Sequence, residues 1–272
     1  MSGGGDMNEG RGMSGGMGKG GGMRNAFAAE WTKLWSLRST WWALAISMGL
    51  MTVMAFTVGR SVVDNNTNAQ SGDDQGIVSV SGTAISSVDL VQFVPVALAI
   101  LMVTGEYASG MIRPTFTWVP SRGRVLAAKA LVVTSVVIPL GVLLGVVGTV
   151  AAGFALGDWG RFSWTDATSD ILAFALYLGL VCVFALGVAT LLRSTAGTLT
   201  TAFLGLMALP MLLMGPAASR PLAENLPSSA GRTFMGIAED APYRGSIGLA
   251  VLVAWTVASL LFGRFILVRR DA

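Results

Sequence analysis

Residues 129–158 read KALVVTSVVIPLGVLLGVVGTVAAGFALGD, with 28 uncharged residues between Lys129 and Asp158. A hydrocarbon core of about 30 Å takes roughly 20 apolar helical residues at about 1.5 Å each, so this stretch is long enough to cross a membrane. Similar charge-free windows recur along the chain. Arg38 to Arg60 encloses 21 residues, Asp170 to Arg193 encloses 22, Arg193 to Arg220 encloses 26, and Arg244 to Arg264 encloses 19. The window from Asp89 to Glu106 holds 16, so its helix is expected to begin nearer Ser81, with Asp89 at the outer end. Composition agrees: 53% of the 272 residues are hydrophobic and 12% are charged, about half the charged share of a soluble domain. The expectation is an all-α membrane protein with six transmembrane helices, at about 41–59, 82–105, 126–155, 171–192, 197–216 and 246–268.

Six spans divide the charges between two faces. The amino terminus, the loop near 106–129, Arg193 and the carboxyl end share one face, with 13 of the 18 Lys and Arg residues and 5 of the 15 acids. The other face carries 5 basic and 10 acidic residues. Basic residues collect on the cytoplasmic side, so both termini are expected there, in a multi-pass protein of the cell membrane. No basic patch interleaves with aromatics outside the spans, which argues against a nucleic-acid partner.

The residue inventory narrows the chemistry. There is no histidine, so the usual general base and the commonest metal ligand are missing. The one cysteine, Cys182, lies in an apolar window and reads as a small buried hydrophobe. No catalytic, cofactor-binding or metal-ligating residue is expected. No removable signal peptide is expected either, because the first apolar run starts about forty residues in and is long enough to span.

Residues 1–23 form a Gly-rich, Met-dotted tail that has no core to bury and is expected to be disordered. Gly16, Gly18 and Gly21 match a G-x-G-x-x-G spacing, and Gly18-Lys19 resembles a broken phosphate loop. Neither follows a strand or opens a helix, and Met13 and Gly20 stand where the phosphate loop requires Gly and Ser or Thr. Met7, Met13, Met17 and Met23 read as flexible filler in preference to thioether ligands for Cu(I), and Met23 is a candidate start.

The transmembrane domain occupies 24–272. Before its first span, Phe27, Trp31, Leu34 and Trp35 recur at i, i+4, i+7 and i+8, with Glu30, Lys33 and Arg38 away from that face. This pattern predicts an amphipathic helix at the headgroup boundary, the alternative being a plain extension of the first span. Trp41 and Trp42 mark where the chain meets the membrane. Pro210 is expected to kink the fifth span. Gly141/Gly145 and Gly153/Gly157 read as close-packing positions. Residues 217–245 are broken by Pro221, Pro227 and Pro242 and are too short to cross, which predicts a re-entrant outer segment before the last helix.

The inner segment 106–129 reads EYASGMIRPTFTWVPSRGRVLAAK. Its acid Glu106, Gly110 four residues later, Pro120-x-Arg122, and Lys129 at the start of the third span follow one another in an order that resembles the ABC-2 family of transporter permeases. Glu30-Trp31-Thr32-Lys33-Leu34 and Arg38-Ser39-Thr40-Trp41-Trp42 are similar to actinobacterial members. The resemblance covers nearly the whole chain, with the long Gly/Met tail as the departure. It implies a permease subunit of an ATP-binding-cassette exporter that works as a homodimer or with a second permease chain. An ABC ATPase subunit carrying ATP and Mg would power it, with no cofactor on this chain. It also implies that Glu106, Gly110, Arg113, Pro120, Arg122 and Arg124 belong to a coupling loop docking on the ATPase. An ordinary basic, membrane-anchoring loop is the other reading of these residues. Nearly charge-free spans suit an apolar or amphipathic cargo such as a drug, lipid or peptide antibiotic. Two other functions remain open, a non-enzymatic membrane scaffold or immunity protein and an intramembrane enzyme, and a copurifying Walker-motif ATPase would separate transport from both.

Overall fold

The computed structural model describes residues 21–68, 75–108, 122–216, 218–238 and 240–270. It is built almost wholly of helices. α1 (Gly21–Ser36) leads into α2 (Arg38–Thr67), then a two-residue strand β1 (Val78–Ser79) and three successive helices, α3 (Val80–Ile85), α4 (Val88–Val91) and α5 (Phe93–Ala108). α6 (Arg122–Leu156) is followed by a single 3-10 turn, strand β2 (Gly160–Arg161) and α7 (Trp164–Leu192). α8 (Thr195–Phe203), a π-helical turn (Leu204–Ala208) and α9 (Leu209–Met214) make one continuous run. Two short helices, α10 (Arg220–Glu224) and α11 (Pro227–Met235), precede α12 (Gly245–Arg270).

Five of these runs are long and apolar enough to cross a membrane: α2, α6, α7, α8 through α9, and α12. The α3–α4 run and α5 pass the same test together across a 41° bend, which makes six if the bent pair is one span. Prolines account for the irregularities. The Pro95 ring displaces the carbonyl of Val91, four residues back, and Pro95 has no N–H to bond it. The helix accordingly breaks at Gln92, where the sequence predicted an unbroken span. Pro210 stands in the same relation to Leu206, inside the π-helical turn that widens the helix to accommodate it. α6 runs through Pro139 without a break.

α7 is the central post, packed against α6, α12 and α5, with Phe174, Tyr177, Leu178 and Leu186 among its fully buried side chains. Small residues allow the approach. A Cβ on Gly141 would lie 2.7 Å from the Cα of Ala175, and one on Gly187 2.7 Å from the backbone of Ser259. The tightest backbone approach is at Gly248 of α12, where a Cβ would sit 2.5 Å from the Ala230 carbonyl oxygen of α11. Backbone atoms cannot rotate out of the way. Gly248→Ala is therefore expected to destabilise the protein by about 1–3 kcal/mol, as overpacking does. Gly49→Ala is the control, since nothing lies within 4 Å of a Cβ there, and removing a helical glycine should stabilise by about 0.5–1 kcal/mol. Thermal unfolding in detergent should move the two variants in opposite directions.

Polar contacts gather at the two ends of the bundle. One end holds β1 paired in parallel with β2, Ser81 bonded to Asp170 at 2.6 Å, Arg232 paired with Asp89, and Arg220 paired with Asp240 at 2.8 Å. The other holds α1, the facing ends of α5 and α6, and the α7–α8 turn, where Thr195 donates to Thr104 at 2.8 Å. Arg193, in the left-handed conformation with φ 54°, caps α7 and lies 5.0 Å from the centre of the Tyr107 ring. The amino-terminal helix, the end of α5, the start of α6 and the Arg193 turn thus share one end.

α1 begins at Gly21, inside the expected tail, and residues 1–20 lie outside the described residues.

Candidate functional site

Among the described residues, four charged side chains meet where α1 crosses the ends of α5 and α6. Lys129 of α6 donates to Glu30 of α1 at 2.7 Å, to Glu106 of α5 at 2.6 Å, and to the Met102 carbonyl at 3.1 Å. An ammonium has three donors, and all three are used. Lys33, one helical turn beyond Glu30, pairs with the same Glu106 oxygen as Lys129. Glu30 is 7% exposed, Lys129 3% and Glu106 2%. Charges so far from water need partners, and here two carboxylates face two ammoniums.

Helix geometry explains the convergence. Ala26, Glu30 and Leu34 recur at four-residue spacing and form the buried row of α1. The sequence pattern set Glu30 apart from the face formed by Phe27, Trp31, Leu34 and Trp35. In the structure Glu30 is buried in the same row as Leu34, while Phe27 and Trp35 are half-buried and Trp31 is exposed. The three aromatics stack as a ladder on the flank of α1, with centroids 5.9 Å apart for Phe27–Trp31 and 5.8 Å for Trp31–Trp35, and Trp41 closes it at 5.1 Å from Trp35. The ion pair with Lys129 is what turns Glu30 inward. α6 also starts earlier than expected, at Arg122, so Lys129 lies two turns inside a helix and not at its mouth.

No family model matches this chain, and no curated protein matches it in sequence.

The site is therefore argued from its own residues. Of the expected coupling-loop positions, Glu106 lies in the buried cluster, where its carboxylate is engaged within the chain. Arg122 opens α6, and Arg124 is exposed, next to the buried Val125 and five residues before Lys129. Gly110, Arg113 and Pro120 lie outside the described residues. The cluster therefore brackets the 109–121 segment, joining the helix before it to the helix after it and both to α1.

A second polar arrangement lies deeper in the bundle, near the middle of α7 and at the break between α4 and α5. Tyr177 of α7 donates to the Gln92 side chain at 2.6 Å, and Gln92 donates to the Asp89 carbonyl at 3.2 Å. Asp89 in turn receives Arg232 of α11. Gln92 is fully buried and sits at the break between α4 and α5. The break that Pro95 imposes is thus held by side chains from α7 and α11. Outside the spans, burial raises the Tyr243 phenol above its ordinary value, and its hydroxyl donates to the Glu224 carbonyl at 2.7 Å.

Proposed function

We propose that this chain is the permease subunit of an ATP-driven exporter of the ABC-2 kind, forming a transmembrane path for an apolar or amphipathic cargo. The observation that carries the reading is the buried Glu30–Lys129–Glu106–Lys33 cluster, which ties a helix preceding the spans to both helices flanking the 109–121 segment. A mechanical input needs such a junction. A partner that pushes on 109–121 moves α5 and α6 as near-rigid bodies, and the cluster carries α1 with them. Support also comes from the order of Glu106, Gly110, Pro120, Arg122 and Lys129 in the sequence, and from five apolar runs, or six with the bent pair, long enough to cross a membrane.

In this reading α1 lies at the cytoplasmic headgroup level, with its aromatic ladder toward lipid and Arg24 and Arg38 toward water. α10 and α11 form the re-entrant outer segment, held by the Arg232–Asp89 pair. Both termini are cytoplasmic and the membrane is the cell membrane. The working complex holds two permease chains, identical or paired with a second permease, and two ATPase subunits that carry the ATP and Mg.

Orientation is tested with an impermeant maleimide on intact cells. Ser71→Cys and Ala218→Cys should label from outside, whereas Ser36→Cys and Ser121→Cys should label only after the membrane is opened. Cys182 is buried and remains silent. Labelling of Ser36→Cys from outside would reverse the topology and remove the docking face from the cytoplasm. Transport itself is tested by hydrolysis. The purified chain should be inactive alone, and ATP turnover should follow addition of the separate ATPase.

A further inference from the structure

A cavity of about 320 Å³ opens beside the charge cluster, between α1 and α5. We propose that it is a phospholipid site, with the lipid phosphate at Lys33 and one acyl chain over Leu37 and Leu101. The inference rests on the reading of α1 as a helix at the membrane surface.

The lining is amphipathic in the way a lipid is. Leu34, Leu37, Leu101 and Met102 form an apolar wall, and Glu30, Lys33 and Glu106 close the other end. Leu37 is 44% exposed and Leu101 41%, so the apolar wall continues onto the outer surface of the bundle. An acyl chain can enter from the side without parting the helices.

Charge selects the headgroup. Lys129 has committed its three donors to Glu30, Glu106 and Met102, whereas Lys33 has a single bond, to Glu106, and a side chain 36% exposed. Lys33 therefore keeps donors for a phosphate oxygen at the cavity mouth. The acids at this end of α1 are buried in the cluster, and the exposed charges along α1 and the start of α2 are Arg24 and Arg38. The field at the mouth is positive, which favours an anionic phosphate over an amine. Lipid seated there would also brace α1 against α5 beside the ion pairs that join them.

The test uses the full chain, purified in mild detergent, stripped of loosely held lipid and titrated with phosphatidylglycerol under native mass spectrometry. One lipid should bind ahead of the rest. Leu101→Trp, which fills the cavity, should abolish that first adduct, and Lys33→Gln should weaken it about fivefold. Leu143→Trp, on the exposed face of α6, should leave it unchanged. A second measurement needs no substitution: the wild-type chain in phosphatidylglycerol and phosphatidylethanolamine vesicles is cross-linked to a phospholipid carrying a photoreactive group near its headgroup. Label should concentrate on residues 33–37 and 101–106. The proposal is overturned if the first adduct survives both Leu101→Trp and Lys33→Gln at wild-type strength, or if Leu143→Trp removes it equally. An even spread of label over α2, α6 and α12 also overturns it while leaving the membrane reading intact. Label absent from every apolar helix would sink both.

Discussion

Lys129→Met is expected to be the most damaging single substitution in the chain, costing about 3–5 kcal/mol. The side chain keeps its length and loses its charge, so the effect is electrostatic and not a matter of volume. Glu30 loses its ion-pair partner at 7% exposure, and Glu106 loses Lys129 while keeping its pair with Lys33. The Met102 carbonyl loses a donor as well. α1 should come away from α5 and α6, and the protein should be recovered in low yield or as aggregate. A second variant separates loss of the pair from loss of the lysine itself. Adding Glu30→Gln to Lys129→Met removes one of the stranded charges and should recover a large part of the stability. Monodispersity and thermal unfolding in detergent read both. Equal loss in the single and double variants would mean that the cluster is not held by charge.

The second large effect is expected at Arg122 and Arg124, and it is functional. Reversing both to Glu should leave the helices assembled, since Arg124 is exposed and the buried cluster begins beyond it. If the segment docks on an ATPase, truncating or reversing an interfacial charge costs about 2–5 kcal/mol, a roughly 30- to 5,000-fold fall in affinity. A basic residue that merely anchors a loop on an anionic leaflet contributes only about 1 kcal/mol. Pull-down of the ATPase and membrane yield distinguish the two. Normal yield with lost capture is the expected outcome. Normal capture and normal transport would make these arginines ordinary positive-side residues.

The sequence made the helices legible because hydrocarbon imposes a length, and a charge-free window of that length has few other uses. Lys129 to Asp158 needed no structure to be read as a span. The break before Pro95 was less visible. A missing N–H says that something must yield, but the choice among kink, π-turn and break depends on what fills the gap, here Gln92 and Tyr177 from distant parts of the chain. Pro139, Pro95 and Pro210 met three different outcomes for that reason.

The site was legible in pieces. Glu106 and Lys129 stood out within the 106–129 segment, and Glu30 and Lys33 were visible as the charged side of an amphipathic pattern. What the pattern concealed was the roll of α1 about its axis. Aromatic periodicity grouped Phe27, Trp31 and Trp35 on one face and set Glu30 apart with the other charges, whereas an ion pair to a residue 99 positions away buries Glu30 against the bundle. The available signal was an unmatched buried lysine: Lys129 lies within an apolar helix and needs an acid, and Glu30 is the acid of the amphipathic stretch just before the first span.

The central claim is that this chain transmits the work of a separate ATPase. Its most direct test is affinity purification of the full chain from native membranes, followed by native mass spectrometry and ATP-turnover measurement on the same sample. The account predicts a complex of two membrane chains with two nucleotide-binding subunits, whose hydrolysis disappears when those subunits are stripped away and returns when they are restored. Recovery of the chain as a complete species with no nucleotide-binding partner, or ATP hydrolysis retained by the isolated chain at high purity, would contradict it.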